Sequence, residues 1–323
     1  MALIDVQGLS TRFHTRRGLL PAVQDVSFTL ERGGSLGIVG ESGSGKSVTC
    51  YSLLGLLPRP TAEIHAGTAH FFPHEAGPGM DLLQLPEAEL RQVRGKHIGM
   101  IFQDAMTALN PYLSIATQLT ETVRQHESIT RHAARERAIA ALNAVGVRDA
   151  EKRIDHYPHH FSGGMRQRVM IAMAMITQPQ LLICDEPTTA LDVTVQAQVL
   201  ELLTERQAQG TALIFISHDL AVVASICETI LVMYAGRVVE AAPRELLFSQ
   251  PRHAYTRSLL RAIPALHSRH EPLHAIPGQA PQLINLPAGC AFRPRNVIGR
   301  ADLCLQDRTP PLIEIAPRHL SLI

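Results

Sequence analysis

The segment GESGSGKS, residues 40–47, has the residue types and the spacing needed to bind a chain of phosphates. It matches the pattern G-x-x-x-x-G-K-[ST], follows an apolar run and opens a helical pattern, which is the context that this motif requires. Its glycines let backbone N–H groups face phosphate oxygens, and the helix start adds a favourable dipole. Lys46 is predicted to reach the β- and γ-phosphates and the Ser47 hydroxyl to ligate Mg²⁺. The segment therefore predicts a nucleoside triphosphate site.

A second chemical segment is LLICDEPTTALD, residues 181–192, in which an apolar run ends in two carboxylates. Asp185 is placed to hold Mg²⁺ through water, and Glu186 to act as the general base toward an attacking water. Alone, such a run is more often a strand that meets a polar loop. The phosphate-loop motif earlier in the chain favours the catalytic interpretation.

Three further polar segments narrow the class of site. IFQD (101–104) places Gln103 after a short apolar run, and FISHD (215–219) places His218 after another. FSGGMRQR (161–168) puts Ser-Gly-Gly at the start of a helix, where an anion is favoured. Each of these alone is commonly a satisfied polar residue, but their order along the chain points to one composite site.

These segments must be held by a sheet with helices around it. SLGIV (35–39), LLICD (181–185), ALIFIS (212–217) and TILVMYAG (229–236) are apolar runs bounded by turn residues, as expected of buried parallel strands. Helical patterns over 46–57 and 193–210 lie between them, the second ending at a glycine suited to a C-cap. The alternation predicts an α/β fold.

Composition limits the function classes. Net charge is +1, so no strong global field indicates nucleic acid as a partner. No apolar run approaches the length of about 20 residues that spans a bilayer, and the first residues do not resemble a secretory signal. Five scattered cysteines suit reduced thiols in a cytoplasm better than a disulfide framework.

With these motifs in order, the chain resembles the ATP-binding subunits of ABC transporters over roughly residues 3–262. The resemblance implies a P-loop NTPase (RecA-like) core with an antiparallel β subdomain and a helical subdomain at about 112–175. It implies ATP and Mg²⁺ as ligands, Glu186, His218, Gln103 and Lys46 as catalytic residues, and Ser47, Gln103 and Asp185 around the magnesium ion. The implied nucleotide contacts are Phe13, Gly40, Glu41, Ser42, Gly43, Ser44, Gly45, Lys46, Ser47 and Val48, with Ser162, Gly163, Gly164 and Asp192 acting on the nucleotide of a second protomer.

Several longer segments are similar to one branch of this family, the dipeptide, oligopeptide and nickel importers. They are GESGSGKSV, IFQDAMTALNP, DEPTTALDVTVQAQ, PRHAYTRSLL and the tail segment PGQAPQLINLPAGCAFRPR. The branch implies a peripheral subunit on the cytoplasmic face of the inner membrane, working with two permeases, a second related ATPase or another copy of itself, and indirectly a solute-binding protein. It implies no nucleic-acid partner.

Other functions remain open at this point. The same importer type also moves nickel, metal chelates or glutathione-like solutes. A soluble ABC ATPase acting on nucleic acid or ribosomes shares the same site residues but normally adds a coiled coil, a second ATPase domain or a basic surface. A P-loop kinase or GTPase would have no use for the Ser-Gly-Gly segment.

The tail from residue 263 to 323 is proline-rich and predicts an irregular C-terminal extension. Many relatives carry four cysteines there, which would suit an iron–sulfur cluster or Zn²⁺. This sequence has only Cys290 and Cys304, with Asn296 at the second position and His319 near the end. Two thiolates and one imidazole are a poor ligand set, so the sequence predicts a structural tail without cluster or zinc.

Overall fold

A computed structural model describes residues 1–75, 77–189, 191–263, 275–296 and 311–322. The chain divides into two compact units. The first unit comprises residue 1 with 31–34 and 85–214, and the second comprises 2–30, 35–84 and 215–323. No helix of the described residues is long and apolar enough to cross a membrane.

The described residues form strands of 2 to 14 residues and α-helices of 4 to 16 residues. The strands are β1 (Ala2–Thr15), β2 (Gly18–Glu31), β3 (Ser35–Val39), β4 (Ala62–Phe71), β5 (Met80–Asp81), β6 (Ile98–Ile101), β7 (Leu181–Asp185), β8 (Ala212–Ser217), β9 (Thr229–Tyr234), β10 (Arg237–Pro243), β11 (Leu312–Ala316) and β12 (His319–Leu322). The helices are α1 (Lys46–Leu53), α2 (Glu87–Val93), α3 (Ala105–Ala108), α4 (Ile115–His126), α5 (Arg131–Ala144), α6 (Ala150–Arg153), α7 (Gly163–Met175), α8 (Val193–Ala208), α9 (Leu220–Ile226), α10 (Arg244–Ser249) and α11 (Ala254–Arg261).

The second unit contains two sheets. One has the order β2-β1-β4-β5, with β1 and β4 antiparallel and Ile4 opposite Phe71. In the other, β3 pairs parallel with β9, and β9, β10, β12 and β11 follow in antiparallel pairs. All five residues of β3 are buried, as expected for a parallel strand covered on both faces. This strand leads directly into the phosphate-loop segment.

The first unit is mainly helical. Helices α4, α5 and α7 pack against one another, and Leu119, Ala138 and Ile171 are fully buried in its core. Strands β6 and β7 pair in parallel, so the segments that follow them leave the sheet at the same edge. The boundary between the two units falls within β8, after Ile214.

The strands predicted at residues 35–39, 181–185 and 212–217 are confirmed as β3, β7 and β8. The helical pattern at 193–210 forms α8, and Gly210, with φ +98°, reverses the chain just beyond it. The sequence pattern did not indicate the last element, a hairpin of β11 and β12 within the proline-rich tail. Its strands have only five and four residues, too few for a clear alternation.

The tail hairpin is attached to the second unit through a buried carboxylate. Glu240 on β10 is fully buried, and its Oε1 is 2.8 Å from His319 Nε2 on β12. The same carboxylate accepts hydrogen bonds from the backbone N–H groups of Arg252, at 2.7 Å, and His253, at 2.9 Å. A buried carboxylate is tolerated only with such partners. His319 therefore has a structural role, as a hydrogen-bond partner of Glu240.

We expect the His319→Ala variant to lower the free energy of unfolding by about 1–3 kcal/mol, because it leaves a buried Glu240 oxygen short of one donor. His319→Gln keeps a donor and should lose less. The exposed His65 on β4 provides a matched control for the alanine substitution. Chemical denaturation of the three variants measures the effect, and equal stability of His319→Ala and His65→Ala would contradict this role.

Candidate nucleotide-binding site

The phosphate-loop segment lies between β3 and α1 in the second unit. Gly45 is the N-cap of α1 with φ +102°, and a Cβ there would lie 2.5 Å from the Ala22 carbonyl oxygen. A Cβ on Gly40 would lie 2.2 Å from the Met233 carbonyl oxygen. Since real Cβ atoms do not approach backbone this closely, the close fit of this loop requires glycine at both positions.

Lys46 lies inside this loop with only 5% of its surface exposed. Its ammonium donates to the carbonyl oxygens of Gly40 at 2.8 Å and Glu41 at 3.0 Å. The Ser44 hydroxyl is also buried and has no hydrogen-bond partner within the described residues. A buried ammonium and an unsatisfied hydroxyl in a glycine cradle fit the oxygens of a phosphate.

The other predicted nucleotide contacts of the second unit are more exposed. Ser42 and Gly43 are exposed, and Ser47 and Val48 are half-buried at the start of α1. Phe13, half-buried on β1, pairs opposite Ala62. His218 is exposed directly after β8. The stacking role of Phe13 and the γ-phosphate role of His218 stay predictions.

The two carboxylates of the second segment lie at the end of β7, in the first unit. Asp185 is fully buried as the last residue of the strand, and Glu186 follows it half-buried. Gln103, exposed after β6, donates from Nε2 to Glu186 Oε2 at 3.3 Å. The structure therefore brings Gln103 and Glu186 together although 83 positions separate them.

Glu186 is held in an unusual backbone conformation. Its φ is +47°, in the left-handed region that non-glycine residues seldom adopt. The Thr189 hydroxyl donates to Glu186 Oε2 at 2.9 Å, so a second donor fixes the carboxylate. Strained residues of this kind concentrate at functional sites. Sequence reasoning missed Thr189, although its place three residues after Glu186 in EPTT was a usable signal.

The Ser-Gly-Gly segment begins α7 in the first unit. Ser162 is its N-cap, and its hydroxyl accepts from the Met165 N–H at 3.4 Å. Ser162 and Gly163 are exposed, and a Cβ added to Gly163 would meet no atom within 4 Å. Asp192 caps α8 in the same way, accepting from the Val195 N–H at 2.9 Å. Packing among the residues that the structure describes therefore does not explain the glycine at 163.

Cys290 of the tail is buried beside a histidine. Its Sγ lies 3.6 Å from His253 Nε2, while His253 Nδ1 accepts from the Tyr255 N–H. In the neutral ring that bond leaves the proton on Nε2, which donates to the sulfur. Over the described residues, no group of three or more histidine, cysteine or acidic side chains is arranged to hold a metal ion. Cys304 lies outside the described residues.

Two family models match this chain, one over the ATPase segments and one over the C-terminal region. The family model of the ABC transporter matches residues 23–189, and that of the oligopeptide/dipeptide transporter C-terminal region matches residues 239–301. The oligopeptide transport ATP-binding protein OppD of Haemophilus influenzae is 51% identical over 294 residues, covering 91% of this chain and 88% of that protein. The OppD of Escherichia coli is 48% identical, covering 99% and 92%.

Solved structures share the fold. The ATP-binding cassette MJ0796, in a dimeric post-hydrolysis state bound to ADP and Pi, superposes with a TM-score of 0.66 at 23% identity, covering 75% of this chain and 98% of that one. A second dimeric structure of MJ0796 gives 0.65 at 24% identity, with the same coverage. The fold, together with the geometry of the phosphate loop at residues 40–47, places this chain in the class of P-loop ATPases. The family matches then identify the chain as a member of the ABC transporter family, which removes the kinase and GTPase alternatives.

Proposed function

We propose that this chain is the ATP-hydrolysing subunit of an importer that takes up di- and oligopeptides through two membrane permeases. The observation that carries the proposal is a phosphate loop on an ABC ATPase fold followed by the C-terminal region of oligopeptide/dipeptide transporters at residues 239–301. The two OppD relatives are named for oligopeptide transport. Peptides are therefore the first solutes to test.

The residues proposed to bind MgATP are those that the motifs identify. The phosphate loop, residues 40–47, would enclose the phosphates, with Lys46 as their cation and Val48 next to the loop in α1. Phe13 would stack on the base. Ser47, Gln103 and Asp185 are proposed to hold Mg²⁺, directly or through water, because their side chains carry the oxygen atoms that this ion favours. The ion would neutralise charge on the phosphates.

Glu186 is the proposed general base for hydrolysis. A carboxylate oriented by Gln103 and Thr189 is suited to accept a proton from water. His218 is proposed to contact the γ-phosphate. Positioning and charge stabilisation supply most of the catalysis in such sites.

The Ser-Gly-Gly segment and Asp192 are proposed to act on the nucleotide of a second ATPase protomer. The exposed start of α7 offers N–H groups to an anion, and Gly163 leaves open space where a side chain would obstruct one. That partner is a second related ATPase or another copy of this chain, arranged head to tail.

The permeases are proposed to dock on the helical subdomain at about 112–175 and the segment that precedes it. After Gln103, the chain exposes two large apolar side chains, Met106 at 61% and Tyr112 at 87%. Exposed apolar residues of this size are suited to contact a partner protein. The subunit would thus lie on the cytoplasmic face of the inner membrane and act with an extracytoplasmic solute-binding protein only through the permeases.

The proposed domain organisation keeps residues 1–262 as the ATPase and 263–323 as the C-terminal extension. Cys290 is proposed to serve the packing of that extension through His253, without an iron–sulfur cluster or Zn²⁺. ATP and Mg²⁺ are then the ligands required for activity.

We expect the subunit, reconstituted in liposomes with its permeases and solute-binding protein, to hydrolyse ATP faster when an oligopeptide is supplied. A panel of dipeptides, oligopeptides, nickel chelates and glutathione separates the cargo classes, and uptake is measured with the same solutes. Stimulation by nickel or glutathione alone would contradict the peptide assignment. Stimulation of the isolated chain by RNA or ribosomes, without permeases, would contradict the importer assignment.

A further inference from the structure

The C-terminal extension packs an aromatic side chain against β9 and α11, two elements of the second unit. Phe292 is fully buried, with its ring 5.3 Å from that of Tyr234 and 5.2 Å from that of Tyr255. The two tyrosine rings are 4.5 Å apart and both are buried. Aromatic pairs at this spacing stabilise their contact beyond the contribution of the apolar area that they bury. The extension is therefore fixed at this point of the second unit.

Three residues further on, Arg295 contacts the phosphate loop itself. Its guanidinium forms two parallel bonds to the Glu41 carboxylate, 2.7 Å to Oε2 and 3.0 Å to Oε1. Arg295 is 7% exposed, and it also donates to the Tyr234 hydroxyl at 3.1 Å and the Pro277 carbonyl at 2.8 Å. The hydrogen bonds to Glu41 raise the pKa of the Arg295 guanidinium above its usual value. A forked, largely buried Arg–carboxylate pair is both strong and geometrically specific.

Glu41 is held at its backbone as well. Its N–H donates to the Tyr255 hydroxyl at 2.9 Å. Its carbonyl oxygen accepts from the Ser44 N–H at 3.2 Å and from Lys46 Nζ at 3.0 Å. Glu41, whose side chain contacts Arg295 of the tail, is thus one of the two residues whose carbonyl oxygens accept from the ammonium of Lys46.

The charge of Glu41 gives this contact a second consequence. A carboxylate next to a phosphate cradle repels an anionic ligand unless a cation compensates it. Arg295 is the cation that the structure places on Glu41, and its contact is bidentate. Without it, Glu41 would keep its negative charge beside the loop and would lose the contact that fixes its side chain.

We propose that the C-terminal extension braces the phosphate loop, and that Arg295 and Tyr255 are positioning residues for ATP binding through Glu41. The inference rests on the proposed role of residues 40–47 in binding MgATP. Arg295 keeps the loop preorganised and screens the Glu41 carboxylate, so the tail sets the affinity of the site for nucleotide. Neither residue touches the reacting atoms, so the turnover number at saturating ATP changes little when they are altered.

The test measures MgATP binding to the purified full-length chain by calorimetry. Arg295→Met is expected to raise the Kd about tenfold, the effect of losing one charge-assisted contact. Arg293→Met is the matched control, because this exposed arginine lies two residues away and its loss changes net charge equally. In the assembled transporter, Arg295→Met is expected to raise KM for ATP and to leave kcat within about twofold of the wild type.

The decisive variant is the double substitution Glu41→Gln with Arg295→Met. Because the uncompensated carboxylate causes part of the loss, removing its charge is expected to restore several-fold of the affinity that Arg295→Met loses. A purely structural role of Arg295 predicts no recovery. Arg295→Lys, which keeps the charge and loses the fork, is expected to lie between Arg295→Met and the wild type, and it replaces Arg295→Met if that variant does not fold.

Two results would overturn the proposal that the C-terminal extension braces the phosphate loop, while leaving the proposed ATPase function intact. One is an Arg295→Met variant with the MgATP affinity of Arg293→Met. The other is a double variant whose affinity for MgATP is no higher than that of Arg295→Met alone. A wild-type chain that binds no MgATP would instead overturn the proposed ATP site, and the brace with it.

Discussion

The Glu186→Gln variant is expected to bind MgATP with wild-type affinity and to lose hydrolysis by about 10²–10⁴-fold, the usual contribution of a general base. Glutamine keeps the shape of the side chain and an oxygen that accepts from Gln103 and Thr189. It cannot accept a proton from water at neutral pH. The loss therefore falls on kcat, and the bound complex accumulates in the form that precedes hydrolysis.

Single-turnover phosphate release and equilibrium binding, measured on the same preparation, separate the two effects. Glu89→Gln is the matched control, since Glu89 is exposed in the first unit and its substitution changes charge identically. Turnover of Glu186→Gln at the rate of Glu89→Gln would refute the general-base role. If MgATP affinity fell by the same factor as hydrolysis, Glu186 would contribute to binding the nucleotide in the ground state and not to the hydrolysis step itself.

Replacing Lys46 by methionine is expected to reduce both MgATP binding and hydrolysis, with kcat falling by about 10²–10³-fold, as for other preorganised groups that stabilise developing charge. Methionine fills the space of the lysine stem without its charge. Lys46 is 5% exposed and its ammonium donates to the Gly40 and Glu41 carbonyls, so the phosphates would lose a buried cation held in place by the loop.

Lys152→Met controls for the loss of one positive charge, because Lys152 is exposed on α6. Thermal unfolding without nucleotide checks that the Lys46 variant is folded, and MgATP is expected to raise the Tm of wild type and Lys152→Met but not of Lys46→Met. An equal rise in all three would contradict the phosphate-binding role of Lys46.

The local parts of the fold could be predicted from the sequence because each is encoded in a short contiguous segment. The residues of β3 and β7 are almost all apolar, and burial on both faces produces that pattern. The glycines at 40 and 45 mark a backbone that leaves no room for a Cβ. Motif order along the chain was enough to name the family and to propose the residues of the nucleotide site.

Thr189 and the tail hairpin illustrate the limit of such patterns. The Thr189 hydroxyl contacts the Glu186 carboxylate across a turn in which Glu186 has a left-handed backbone and its carbonyl oxygen accepts from the Thr189 N–H. The strands of the hairpin are too short to show periodicity, and their attachment depends on Glu240, which is far away in sequence. The hairpin has no local signature of its own, and the only local signal for Thr189 is its place three residues after Glu186.

The sequence by itself determined that this is an ABC-type ATPase of the peptide-importer branch, and it drew attention to the tail through its two cysteines. Only the tertiary structure decided what the tail contacts, placing Arg295 on Glu41 across 254 positions and His319 on Glu240 across 79. The physical reason is that composition and periodicity report the neighbours a residue has along its own strand or helix. A contact between residues that are far apart in sequence depends instead on the path of the whole chain, which brings the two polar side chains together at one place.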